Sequence, residues 1–118
     1  MLVNQKKIHK PWGHEIIWSH CDKFVGKILF IKQSNKLSRQ YHKIKEETIL
    51  VLSGTLSLEI GSGENIKTLE IKRGQSYHVV PGEIHRFCAI YGDVELAEVS
   101  TPELDDVVRL EDDYNRAK

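Results

Sequence analysis

Four residues of types that ligate metals stand at spacings that could bring them together: Gln40, His42, Glu47 and His85. Gln40 and His42 are two apart, so on a strand their side chains share one face. Glu47 follows five residues later, beyond a charged turn that can reset the register, and His85 comes just after Pro81-Gly82. Two imidazoles, a carboxylate and an amide carbonyl form a borderline donor set. It suits zinc first, and also manganese, iron, nickel or cobalt, and it offers no soft thiolate. Taken singly, each residue has an ordinary reading: a polar strand end, a solvated turn carboxylate, a half-buried histidine. Their joint spacing is what points to a single divalent metal ion.

Such a site needs short strands to present it. Residues 15–18 and 24–32 are dominated by β-branched and aromatic residues between polar clusters, and both read as strands. Residues 37–42 read as short and extended after the turn Ser34-Asn35-Lys36. Residues 48–52 are apolar on both faces, which suits a strand inside a sandwich or barrel, and Ser53-Gly54 turns them into the strictly alternating residues 55–60. Turns at residues 61–65, 72–74, 81–83 and 92–93 then separate further strands at 66–71, 77–80, 85–91 and 94–99. Turn signals this frequent, with no long amphipathic helix competing, predict an all-β sandwich or barrel. Residues 1–13 read as a lead-in arm, 14–100 as the barrel and 101–118 as a tail packed on it. Thr101-Pro102-Glu103 resembles a helix start and predicts a helical turn there.

The chain has 118 residues, enough for one hydrophobic core, so a single domain is expected. Its 17 Lys and Arg balance 17 Asp and Glu. That leaves no field to attract nucleic acid or an acidic membrane, and little charge to keep copies of the chain apart. Cys21 and Cys88 are far apart and form no Cys-x-x-Cys pair. No signal peptide or membrane span is legible, so a soluble cytoplasmic protein is expected. Cys88 reads as core, and Trp12 as an anchor seating the arm or as a residue of the pocket mouth. His9, His14, His20 and most lysines read as solvated.

The order Gln40, one residue, His42, four residues, Glu47, six residues, Gly54, and then Gly74, five residues, Val80-Pro81-Gly82, two residues, His85, resembles the two motifs of the cupin superfamily. Pro11-Trp12-Gly13, residues 37–42, residues 51–55 and the closing residues 108–116 are similar to the C-terminal cupin domain of type II phosphomannose isomerases. The chain departs from the usual cupin pattern at Ser34, Gln40, Val80 and Ala89. It departs from the isomerases between the ligands, where residues 43–46, Thr48 and Ile49 replace a histidine-rich run. The resemblance implies a jelly-roll barrel (double-stranded β-helix), a metal held by Gln40, His42, Glu47 and His85, and a sugar phosphate as small-molecule substrate. It implies catalytic roles for Arg109, as enediolate or substrate clamp, and for Lys45, which replaces a family arginine. Substrate contacts fall to Arg86, His78 and Tyr41, with Lys45 or Arg86 facing phosphate; His78 reads either as pointing into the barrel or as an ordinary core or surface histidine. A homodimer is expected, as cupins commonly pair. The leading expectation is aldose–ketose isomerisation of the mannose 6-phosphate type. A non-catalytic sugar-phosphate sensor and an iron-dependent oxygenase are the alternatives.

Overall fold

The computed structural model describes residues 1–117. Eleven strands run in chain order: β1 Lys6–Lys10, β2 Gly13–His20, β3 Val25–Ile31, β4 Arg39–Tyr41, β5 Glu47–Ser53, β6 Thr55–Ile60, β7 Lys67–Lys72, β8 Ser76–Val79, β9 His85–Cys88, β10 Val94–Ser100 and β11 Val108–Glu111. They form a six-stranded sheet, ordered β1-β2-β3-β10-β5-β8, and a five-stranded sheet, ordered β11-β4-β9-β6-β7. Every pairing is antiparallel. This is the all-β jelly-roll barrel expected of a cupin.

Nine of the strands lie where the alternation placed them. The other two come from the segments read as arm and tail. β1 holds only one apolar residue in Lys6-Lys7-Ile8-His9-Lys10, so no alternation betrays it, yet it pairs along its whole length with β2. The turn between them is Pro11-Trp12, and the next residue, Gly13, has φ +153° with its α-carbon against the Phe30 carbonyl. A side chain at 13 would overlap that backbone. Glycine therefore lets β2 lie on β3 while Trp12 drops into the core, 3% exposed. In the tail, residues 101–107 form bends and turns instead of the expected helical turn, and β11 then pairs with β4.

The barrel interior changes character along its strands. Leu29 of β3, Leu96 of β10 and Val51 of β5 stand in one cross-strand row, all buried. With Ile31, Ile49, Leu56, Leu58, Phe87, Val94 and Trp12 they form the hydrocarbon core. Two residues further along the same inward faces, the chain places Lys27 on β3 and Glu98 on β10, directly paired. Glu47 opens β5 and His85 opens β9 at this end. On the outside, Leu50 is 39% exposed, so β5 is covered on one face only, against the expectation of burial on both.

Candidate metal centre and substrate pocket

The three metal-type side chains of the described residues that converge are His42, Glu47 and His85, all buried, with ligand atoms within 4.8 Å of one another. Each is placed by the backbone around it. Glu47 enters β5 directly opposite Ser100 of β10, on the inward face. His85 enters β9 opposite Gln40 of β4, and Gln40 in turn stands opposite Arg109 of β11. Directly paired residues share a face, so Arg109, Gln40 and His85 form one inward row across the five-stranded sheet.

The two rings are aimed by carbonyl groups. His42 Nδ1 lies 2.6 Å from the Asp106 carbonyl and His85 Nδ1 lies 2.8 Å from the Glu83 carbonyl. A carbonyl only accepts, so each Nδ1 carries the proton, and in a neutral ring Nε2 then presents a lone pair. Both Nε2 atoms face Glu47 Oε1, at 3.1 Å from His42 and 3.5 Å from His85. Three acceptors thus point at one another. A divalent cation satisfies all of them at once, and backbone carbonyls holding the far side of ligating imidazoles are the usual outer support of such a site. The donor set fits a metal.

Asp106 does more than lend its carbonyl. Its carboxylate accepts hydrogen bonds from the backbone N–H groups of Lys43, Ile44 and Lys45, at 3.1, 2.7 and 2.8 Å, fixing the turn between His42 and Glu47. The N–H groups of Lys45 and Ile44 lower its pKa to about 2. Glu47 also stands well below the usual carboxylate range despite its burial, with the Lys45 charge beside it favouring the ionised form.

The cluster lies in a cavity of about 470 Å³ that opens between the sheets. Opposite it runs a ladder of buried charge. Lys45 Nζ lies 3.6 Å from Glu47 Oε2 and 3.3 Å from Glu98 Oε2, and Lys27 Nζ lies 3.3 Å from Glu15 Oε2. Burial, and then the neighbouring Glu47 carboxylate, push the Glu98 carboxyl up to about 8. Lys45 is held charged because Glu98 and Glu47 outweigh its burial. The lining includes six cationic residues (Lys6, Lys10, Lys27, Lys45, Arg109 and Arg116) against four carboxylates (Glu15, Glu47, Glu98 and Asp105).

The sequence model described as mannose-6-phosphate isomerase C-terminal matches residues 2–112. The chain belongs to that family. It is 32% identical over 115 residues to the xanthan biosynthesis protein XanB of Xanthomonas campestris pv. campestris, covering 94% of this chain and 24% of that protein. It is 30% identical over 118 residues to the alginate biosynthesis protein AlgA of Pseudomonas aeruginosa, covering 96% of this chain and 24% of that one. The chain therefore spans about a quarter of the length of these relatives. The capsular polysaccharide assembling protein CapF of Staphylococcus aureus shares the fold, with a TM-score of 0.79 at 15% identity, over 92% of this chain and 34% of that one.

Set in this mannose-6-phosphate isomerase C-terminal fold, the other expected site residues divide sharply. Gln40, Lys45 and Arg109 line the cavity with the cluster. Gln40 sends its amide nitrogen toward the Ser38 carbonyl, at 3.4 Å. Among the described residues Arg109 has no ion pair, and its Nε is buried without a hydrogen-bond partner; the nearby Asp112 is taken by Arg116. Burial and the Arg116 charge lower the Arg109 pKa. Tyr41, His78 and Arg86, by contrast, do not line the cavity. The cause is strand alternation: each is the immediate neighbour of an inward residue and so faces out. Arg86 is spent on the Leu37 carbonyl and Asp113, both at 2.8 Å, and clamps the tail. His78 pairs on the outer surface with Glu46 and Thr48. Trp12 both anchors the turn and lines the cavity.

Four participants were not singled out from sequence: Glu15, Lys27, Glu98 and Asp106. For Glu98 a signal existed, because the alternation Val94, Leu96, Glu98 puts a carboxylate on an otherwise apolar face. The same holds for Lys27 after Val25 and before Leu29 and Ile31. Asp106 sits in a polar turn and gives no such sign.

Proposed function

We propose that this chain is a metal-dependent cupin that acts on a phosphorylated sugar, with aldose–ketose isomerisation of mannose 6-phosphate as its reaction. The observation that carries this reading is the inward row Arg109–Gln40–His85, which sets a guanidinium with no ion pair among the described residues beside the metal-type cluster. His42, Glu47, His85 and Gln40 would hold the ion, zinc by its donor preference. A bound divalent ion supplies Lewis acidity toward the sugar's oxygen-bearing carbons. Interconversion moves a proton between C2 and C1 through an enediol, so the pocket must fix O1 and O2 and stabilise the charge that develops on them. Arg109 is positioned to donate hydrogen bonds to those oxygens. Lys45 keeps its proton at Nζ and holds the Glu47 carboxylate and the Glu98 carboxyl in place.

Turnover of mannose 6-phosphate to fructose 6-phosphate by metal-loaded protein tests the reading. Arg109→Ala is expected to lower kcat by about 100-fold or more, with metal content unchanged. Absence of turnover in the wild type with zinc, manganese, iron, nickel and cobalt would end the isomerase assignment. One observation favours a second reading, a binding module that senses a sugar phosphate: among the described residues the buried Glu15 and Glu47 are paired with lysines and the Glu98 carboxyl is pushed up to about 8, so none stands as a free carboxylate base at neutral pH. Tight binding of mannose 6-phosphate without turnover would select it.

Two coarser features belong to the same reading. No helix of the described residues is long and apolar enough to cross a membrane, and the two free cysteines suit the cytoplasm. Trp18, Leu50 and Val99, exposed on the outside of the six-stranded sheet, suit a homodimer, which sedimentation analysis would reveal as twice the chain mass.

A further inference from the structure

We propose that β1 forms the anion-binding end of the pocket, with Lys6 and Lys10 receiving the phosphate of a sugar whose other end lies at the His42–Glu47–His85 cluster. The inference rests on the sugar-phosphate reading above and assigns the residues that would make the protein prefer a phosphate ester to a free sugar.

The hairpin register puts the two lysines on the pocket side. Lys6 stands opposite Ile17, Ile8 opposite Glu15 and Lys10 opposite Gly13, so the even positions of β1 share the inward face of β2. Lys6, Ile8 and Lys10 all line the cavity, whereas Lys7 and His9 point away from it and are exposed. The two cations first expected to meet phosphate are committed elsewhere. Arg86 is turned out of the barrel and bonded to Asp113, and Lys45 is held between Glu47 and Glu98.

Charge accounting leaves β1 with positive charge to spare. Lys27 takes one oxygen of Glu15 at 3.3 Å, and Lys10 reaches the other at 3.7 Å, so a single carboxylate serves two ammonium groups. Lys6 has no ion pair among the described residues. Asp105 is the one exposed carboxylate of the lining. A phosphate monoester carries nearly two negative charges near neutral pH, and two flexible ammonium groups on one strand face can meet them as point charges. Arg109 lies across the cavity on β11, the edge of the other sheet, in the row of the cluster. The pocket thus has one cationic site beside the cluster and a second on β1, which matches a ligand with a reactive head and a dianionic tail.

Lysines on an edge strand also serve to block sheet-to-sheet pairing, and Lys7 separates the two explanations. It has the same charge on the same strand but faces away from the pocket. Isothermal calorimetry on metal-loaded protein, with mannose 6-phosphate and with mannose, is the test. The variants are wild type, Lys6→Gln with Lys10→Gln, and Lys7→Gln, each checked for fold by circular dichroism. The double variant is expected to bind mannose 6-phosphate at least about tenfold more weakly, with a flatter salt dependence and unchanged mannose binding, while Lys7→Gln matches the wild type. Equal binding of mannose 6-phosphate by wild type and double variant overturns the assignment and leaves the isomerase reading intact. Equal weakening by Lys7→Gln also overturns it, since a general field would then explain the effect. Binding that depends on Lys6 and Lys10 without any turnover supports the assignment and removes the isomerase. No binding of mannose 6-phosphate by the wild type overturns both.

Discussion

The two ends of the barrel interior are built from the same strands and obey opposite rules. Along β3, β5, β9 and β10, one part of each inward face is hydrocarbon and the next is ionic: Leu29 then Lys27, Ile49 then Glu47, Phe87 then His85, Leu96 then Glu98. At the apolar end burial alone is favourable, in proportion to the area removed from water. At the ionic end burial is costly, and each charge is tolerated only because a neighbour of opposite sign or a backbone group meets it. A stretch of interior that could have been filled with leucine is kept charged, which marks it as the part of the barrel that does something other than hold the fold together.

If the ends are separate in this sense, substitutions should affect different measurements. Glu47→Gln removes the group on which both imidazoles converge. It should weaken binding of a divalent metal, by elemental analysis and competition with a chelator, by more than the roughly 100-fold that losing a ligand's supporting partner can cost. Leu58→Ala, at a fully buried core position, should instead cost about 2–5 kcal/mol in denaturant unfolding and leave metal content per folded molecule unchanged. Crossed effects of equal size would break the division.

Lys45→Met tests the ladder itself. It strands the buried Glu47 carboxylate beside the Glu98 carboxyl and should cost about 3–5 kcal/mol of stability, and adding Glu98→Gln should recover part of that loss, a coupling that a double-mutant cycle measures. Additive losses would mean the charges are independent. Asp106→Ala frees the turn N–H groups at residues 43–45 and should loosen metal binding about 10-fold while the apolar end melts as before. The smallest effect is expected at Cys88, behind the five-stranded sheet. Burial and then Glu59 push its thiol up to about 11. A raised thiol contributes stability that is whole below the ordinary thiol range and is lost as pH rises through about 11. Thiol reagents at pH 8 should therefore modify Cys21 and spare Cys88 until the chain unfolds, and the alkaline loss should shrink in Cys88→Ala.

Most of this architecture could be read from residues alone because period-two alternation is a strong signal where one face is hydrocarbon. Thr55 to Ile60 is the clear case, and its bounds are those of β6. The same rule failed where the inward face is polar. β1 shows a single isoleucine among lysines, and Lys27 and Glu98 continue apolar faces as charges whose partners lie on other strands. Spacing was informative for His42, Glu47 and His85, because each stands beside a turn where a strand begins or ends. It was uninformative for Tyr41, His78 and Arg86, which sit one place away from inward positions. A shift of one residue moves a strand side chain to the opposite face.

The link from Asp106 to His42 spans 64 residues. The ring that completes the cluster is aimed only after the tail has docked, whereas the apolar rows of β3, β5 and β10 need nothing beyond Ser100. Folding should therefore pass a stage at which the hydrocarbon half is formed and the chain still binds metal poorly. Metal capture would then be a clock for the last step, arriving after the fluorescence of Trp12 and Trp18 has settled in a stopped-flow refolding trace.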